Sequence, residues 1–150
     1  MMKIASWNVN SLNVRLPHVL EWLKIFQPDV LVLQETKQDD SKFPQTDIKV
    51  AGYHVVKKKK KTYNGVAILS KTEMQDIQKG IPGFDDEQKR AIAATINGIR
   101  IIDLYVVNGQ SVGSEKYDYK MRWLEAVQDW VANEMSKYPK LIVLGDFNIA

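Results

Sequence analysis

Two carboxylates stand directly behind apolar runs: Glu35 after VLVLQ at 30–34, and Asp146 after LIVLG at 141–145. Asn8 closes the first apolar segment, with Asn10 two residues on; Asn108 follows YVV, and Asn148 lies two residues after Asp146. Ligand sites of layered α/β proteins gather beyond the carboxyl ends of strands. Strand ends that carry an amide or a carboxylate assemble hard oxygen ligands together with neutral hydrogen-bond donors. Mg²⁺ suits such a set, because it takes oxygen ligands and often uses only one or two carboxylates. Amide donors can hold a phosphate oxygen beside the metal. Each residue also has a plainer reading. An acid after a strand serves as a turn or cap residue, Asn8 and Asn10 as turn residues, and Tyr105 as core of an apolar strand.

Other chemistries are excluded by composition. The 150 residues contain no cysteine, so neither a disulfide nor thiolate catalysis is available. His18 and His54 are the only histidines, and His18 has no Cys or acid pattern of a zinc site around it. With 45% hydrophobic residues the chain supports a real core, and its length predicts a single domain over 1–150. No apolar run is long enough to span a bilayer, and the N-terminus MMKIASWN lacks the apolar stretch of a signal peptide. The expectation is a cytoplasmic protein with no membrane partner.

Charge is uneven. Residues 1–75 carry 12 basic and 7 acidic side chains, whereas 76–150 carry 9 and 11. Most of the basic excess is one run: Lys57, Lys58, Lys59, Lys60 and Lys61, with Tyr53 and Tyr63 on either side. This layout permits a polyanion along one edge without requiring it. A solvated hairpin tip is the alternative.

The elements that must position these residues follow from periodicity. Lys3–Asn8 reads as a short strand. Leu16, Val19, Leu20, Leu23 and Phe26 recur at helical spacing, predicting a helix over 16–26 with Pro17 in its first turn. VLVLQ is apolar on both faces, the pattern of a covered central strand, and LIVLG reads the same way. Residues 36–50 read as irregular, and 79–89 as loop. GYHVV at 52–56 and GVAILS at 65–70 predict neighbouring strands. AIAATI and IRIIDLYVV flank Asn97-Gly98, a hairpin signal. A helix over 118–136 shows a stripe of Trp123, Val127, Trp130, Val131 and Met135, spacing that matches burial. Mixed strands and helices with antiparallel pairs predict a layered α/β sandwich rather than a doubly wound sheet.

In combination the segments are far more specific. WNVNSLNVR at 7–15, LQETK at 33–37, NGVAILSK at 64–71, YVVNG at 105–109, YDYKMRW at 117–123 and LGDFNIA at 144–150 occur in that order. The chain resembles the exonuclease III family of apurinic/apyrimidinic endonucleases, within the endonuclease/exonuclease/phosphatase group. The resemblance implies a DNase I-like four-layered α/β sandwich, present as its first half only. It implies a nuclease that hydrolyses DNA phosphodiesters by in-line attack of water, with Mg²⁺ as cofactor and Mn²⁺ as a possible substitute. Double-stranded DNA with abasic sites or 3′ ends is the implied partner, and the complete enzyme is expected to be a monomer. Glu35 is implied as the metal ligand and Asn8 as its support, directly or through water. The resemblance further implies that Asp146 would orient or deprotonate the attacking water, that Asn148 would hold the scissile phosphate, and that Tyr105 would reach the phosphate or the leaving side. Asn108, Lys120 and Arg122 are implied DNA contacts, with Arg90 as a further support, and Lys57–Lys61 as backbone contacts.

The chain departs from the family pattern in two ways. Val107 precedes Asn108 where family members usually have proline. The family's second half carries a further Asp and a terminal Ser-Asp-His motif, which this chain lacks. The activity of an isolated 150-residue chain is therefore doubtful. The inner face of its first sheet is expected to be left uncovered, because each half of the fold is expected to supply most of one sheet. Two other readings stand beside the nuclease: a non-catalytic or unstable fragment, and a hydrolase of the same group acting on a phosphomonoester or phospholipid head group.

Overall fold

Two four-stranded sheets stack face to face in the computed structural model, which describes residues 2–37, 43–57, 65–84, 90–106 and 115–148. The elements in chain order are β1 (Ile4–Asn8), α1 (Leu12–Phe26), β2 (Val30–Gln34), α2 (Gln45–Val50), β3 (His54–Lys57), β4 (Val66–Ser70), β5 (Gln75–Lys79), β6 (Ala91–Ile96), β7 (Ile99–Tyr105), α3 (Glu115–Lys137) and β8 (Leu141–Asp146). The first sheet has the order β1-β2-β4-β3 and the second β5-β6-β7-β8.

Strand alternation builds the layers. On β2 and β4, Val30, Val32, Val66 and Ile68 face the second sheet and pack with Ile92, Ala94, Ile96 and Ile101. Leu31, Leu33, Ala67 and Leu69 face outward onto Val19 and Leu23 of α1 and Ile48 of α2. On the far side, Ala91, Ala93, Ile102 and Leu104 receive Trp123, Val127 and Trp130 of α3. The result is a four-layered α/β/β/α sandwich.

These contacts correct one expectation. Residues 1–150 contribute to both sheets, so the inner face of the first sheet is covered: Val30, Val32, Ile92 and Ile96 are all fully buried. Among the described residues β8 pairs with β7 and β1 with β2, and most residues of β8 and β1 are half-buried.

Several boundaries shift for identifiable reasons. α1 begins at Leu12 because the Leu12 N–H bonds the Thr36 carbonyl at 2.9 Å, and Pro17 therefore sits inside the helix. β5 has a polar sequence that hides it, but as an edge strand it needs only backbone pairing with β6. α2 buries Ile48 alone, too little for a periodic signal. On α3 the buried stripe runs Trp123, Val127, Trp130, Glu134. Glu134 is buried because it pairs with Arg100 at 2.8 Å, and Met135 is turned outward and 63% exposed. The Asn97-Gly98 turn is as read, with Ile96 paired to Ile99 and positive φ at both turn residues. Among the described residues no helix is long and apolar enough to cross a membrane.

Candidate active site

Parallel pairing brings four strand ends together. β1 and β2 run parallel with Asn8 opposite Gln34, and β7 and β8 run parallel with Tyr105 opposite Asp146. Because the two sheets stack, both pairs of carboxyl ends open at the same end of the sandwich. Two hydrogen bonds cross between the sheets there. Asn8 Nδ2 donates to Asp146 Oδ2 at 2.7 Å, and the Tyr105 hydroxyl donates to Glu35 Oε1 at 2.9 Å.

The backbone around the site is locked in unusual conformations. Asn10, Ser11, Glu35, Lys37 and Asn148 all have positive φ without being glycine. Such residues persist only where the surroundings over-determine them, and here they are clipped together. The Val9 N–H bonds the Gln34 carbonyl at 3.1 Å, and the Ser11 N–H bonds the Glu35 carbonyl at 2.8 Å. Lys37 Nζ reaches Asn10 Oδ1 at 2.7 Å, and the Asn10 N–H bonds Asn8 Oδ1 at 3.1 Å. The segments after β1 and β2 are thus hydrogen-bonded to each other around Glu35.

Asp146 is held from both oxygens: Oδ2 by Asn8, and Oδ1 by the Asn148 N–H at 3.0 Å. The Asn148 side chain is itself fixed, with Nδ2 donating to the Val106 carbonyl at 2.8 Å. Gly145 lets β8 approach β7 closely. At its φ of 144°, a Cβ would fall 1.9 Å from the Leu104 carbonyl oxygen.

The Arg90 guanidinium lies 4.6 Å from the Tyr105 ring centroid, and its Nη1 donates to the Tyr105 and Val106 carbonyls. Burial, and next the hydrogen bond to Glu35, push the Tyr105 phenol up to about 12. At neutral pH Tyr105 is therefore a donor and not a base.

The donor chemistry fits a hard divalent cation. Among the described residues there is no cluster of three or more His, Asp or Glu side chains. The two carboxylates and adjoining amides still form an all-oxygen set of the kind Mg²⁺ accepts. Glu35 and Asn8 stand where they can hold such an ion, with Asp146 bonded to Asn8.

The structure brings together Asn8, Glu35, Tyr105, Asp146 and Asn148. Lys120 and Arg122 lie in the first two turns of α3. Among the described residues no hydrogen bond or ion pair joins either of them to the cluster. Lys57 ends β3 two strands from Glu35, at the same end of the first sheet; its Nζ bonds Gln45 Oε1 at 3.1 Å and sits over the Phe43 ring. Asn108 and Lys58–Lys61 lie outside the described residues.

Sequence reasoning missed Gln34, Asp103 and Lys37. Gln34 Nε2 donates to Asp103 Oδ1 at 2.8 Å and to Ser6 Oγ at 3.1 Å, directly beneath the site. A lone carboxylate inside IRIIDLYVV, on the same strand face as Tyr105, was the available signal.

Known proteins share this architecture. Exodeoxyribonuclease III of Haemophilus influenzae is 36% identical over 156 residues, an alignment covering 99% of this chain and 58% of the relative. A 3′ phosphatase from Neisseria, solved bound to product DNA hairpin, is 50% identical with a TM-score of 0.96, covering 100% of this chain and 59% of that one. An AP endonuclease from Archaeoglobus fulgidus is 42% identical with a TM-score of 0.92, covering 100% and 58%. The chain thus spans about three-fifths of the length of these relatives. Residues 5–150 also match the family described as Endonuclease/Exonuclease/phosphatase, and on that match, with the fold to go with it, the chain belongs to this family.

Proposed function

We propose that this chain carries the first part of the active site of a Mg²⁺-dependent DNA repair nuclease, acting as a 3′-5′ exodeoxyribonuclease and an apurinic/apyrimidinic endonuclease. The observation that carries the reading is the convergence of Asn8, Glu35, Tyr105, Asp146 and Asn148, joined across two sheets by hydrogen bonds of 2.7 and 2.9 Å. The relatives' names support the substrate class: one is an exodeoxyribonuclease, another an AP endonuclease, and a third is bound to DNA.

Glu35, with Asn8 in support, would hold Mg²⁺, and the ion when bound would supply charge stabilisation to the reacting phosphate. Each residue of the chain then has a task. Asp146, its carboxylate oriented by Asn8 and Asn148, accepts from the attacking water. Asn148 Nδ2 has a second hydrogen for a phosphate oxygen. Tyr105, kept protonated, gives its one hydroxyl hydrogen to Glu35 and would have to transfer it to donate toward the phosphate or the leaving side. Lys120, Arg122 and the Lys57–Lys61 run would neutralise DNA phosphates, and Asn108, a neutral amide, would hydrogen-bond the DNA. Lys57 stands two strand spacings, about 10 Å, from β2, in reach of a backbone whose scissile bond sits at Glu35. The protein is expected to act as a monomer.

A phosphomonoesterase activity on 3′ ends is a second reading, favoured by the 50% identity to a 3′ phosphatase. The two reactions would share one site and the same leaving 3′ oxygen, and differ in whether the phosphorus also carries a 5′-linked nucleoside.

The test uses the full-length gene product with labelled duplexes carrying one abasic analogue, a recessed 3′-hydroxyl or a 3′-phosphate, with and without Mg²⁺. Strand cleavage at the abasic analogue and shortening from the 3′-hydroxyl are expected. Release of phosphate alone moves the assignment to the second reading. No product from any of the three contradicts both.

A further inference from the structure

Beneath the catalytic cluster lies a third polar contact between the sheets, which none of the proposed chemistry uses. Asp103 is fully buried and Gln34 is 1% exposed. Asp103 Oδ1 accepts from Gln34 Nε2 at 2.8 Å, while Oδ2 has no hydrogen-bond partner among the described residues. A buried oxygen left unmet lowers stability. Ile101 on the same face of β7 shows that an apolar side chain packs in this layer without that cost. Stability therefore does not account for a carboxyl group at this position.

Geometry does. β2 and β7 belong to different sheets, and no backbone hydrogen bonds fix how they slide against each other. The apolar contact between them is non-directional, whereas a buried hydrogen bond has a narrow range of length and angle. Gln34 and Glu35 are consecutive at the end of β2; Asp103 and Tyr105 lie on one face of β7. The Gln34–Asp103 and Glu35–Tyr105 bonds are thus successive rungs between the same two strands. Gln34 also donates to Ser6 on β1, tying a third strand, the one that carries Asn8, to the same point.

We propose that Asp103 is a positioning residue: by accepting from Gln34 it sets β2 against β7 and so fixes where the Tyr105 hydroxyl meets Glu35. Its importance for turnover rests on the nuclease reading above. Burial drives Asp103 toward its protonated form, and the Gln34 bond opposes this only in part. A neutral amide is therefore a close substitute for it.

The experiment compares Asp103→Asn, which keeps an acceptor for Gln34, with Asp103→Leu, which fills the space without one. The full-length gene product is labelled with ¹³Cζ-tyrosine, and the Tyr105 resonance is assigned through Tyr105→Phe. At neutral pH this resonance reports whether the hydroxyl donates to a carboxylate. In Asp103→Leu it should move toward the resonances of exposed tyrosines, and in Asp103→Asn it should stay in place. If Asp103→Leu does not unfold cooperatively, Gln34→Met cuts the same bond from the other side and must produce the same movement. An unmoved resonance in the folded variant overturns the proposal. Kinetics separate this outcome from the fate of the nuclease reading. Where the wild type turns over, the variant lacking the bond should lose about tenfold or more in kcat with KM within about threefold, rescued in Asp103→Asn. Wild-type protein without turnover, together with a moved resonance, defeats the nuclease reading and leaves the positioning role standing.

Discussion

The Tyr105 hydroxyl meets Glu35 Oε1 at 2.9 Å although the two residues are 70 apart in sequence and belong to different sheets. The contact depends on the stacking of the sandwich itself, so it makes the site a direct report on the fold. Tyr105→Phe removes this donor and leaves the ring over which Arg90 packs. We expect cleavage to fall by about 10²-fold or more, the usual loss when a preorganised donor is removed, with the melting temperature nearly unchanged. A fall in activity of less than threefold in a steady-state cleavage assay returns Tyr105 to a core role.

The same phenol predicts an alkaline limit. Its pKa is raised to about 12, above the ordinary value of 10.0. The folded state therefore holds the proton longer than the unfolded state. The stabilisation is complete below pH 10 and is lost as pH rises from there through 12. Thermal melts of the wild type should decline more steeply over that interval than those of Tyr105→Phe.

Asp103 predicts a pH dependence at the acid end. Burial raises its folded-state pKa well above the unfolded value, so its contribution is complete below the ordinary carboxylate range and fades as pH rises through the folded value. Asp103→Asn carries no such titration. The stability of the variant relative to the wild type should grow between pH 4 and pH 8, measured by denaturant unfolding. A constant difference across that range contradicts a folded-state pKa of Asp103 raised by burial.

Gly145 sets the distance between the last two strands. With φ at 144° and the Leu104 carbonyl where a Cβ would be, Gly145→Ala forces β8 away from β7. The expected loss is about 3 kcal/mol or more, as for an overpacked and strained site, and Asp146 next to it loses its alignment. A variant within about 0.5 kcal/mol of wild type by chemical denaturation contradicts this close approach.

The lysine run predicts a salt effect. Replacing Lys57–Lys61 with Gln should weaken DNA binding equally across unrelated sequences and flatten the dependence of affinity on salt, because ammonium groups release counterions from phosphates. An unchanged slope in fluorescence titrations at several salt concentrations restores the solvated-tip reading.

Much of this architecture was legible in the sequence for physical reasons. β2 reads VLVLQ because it is covered on both faces, and Asn97-Gly98 is a turn with positive φ at both positions, which few other pairs tolerate. Glu35 and Asp146 were legible because each follows an apolar run. β5 was not: QDIQK carries no alternating apolar pattern, since local composition records burial of side chains and not which backbones are paired. Nor was the covering of the first sheet by the second, which depends on contacts between residues as distant as Val32 and Ile101. Asp103 and Glu134 were hidden because a charged residue inside an apolar pattern does not name its partner. Gln34 and Arg100 supply those partners only once the sheets are stacked and α3 is packed against them.

Glu35→Gln tests the central claim most directly. The swap keeps the size of the side chain, and its amide oxygen can still accept from Tyr105, but the negative charge that would bind the metal is gone. The measurement is cleavage of a labelled duplex bearing one abasic analogue by the full-length gene product, at saturating Mg²⁺ and again with a chelator. The account predicts product only with wild type and Mg²⁺, and a Glu35→Gln protein whose unfolding curve matches wild type. Equal product in the presence of the chelator, or wild-type turnover by Glu35→Gln, contradicts a metal-dependent site built on Glu35.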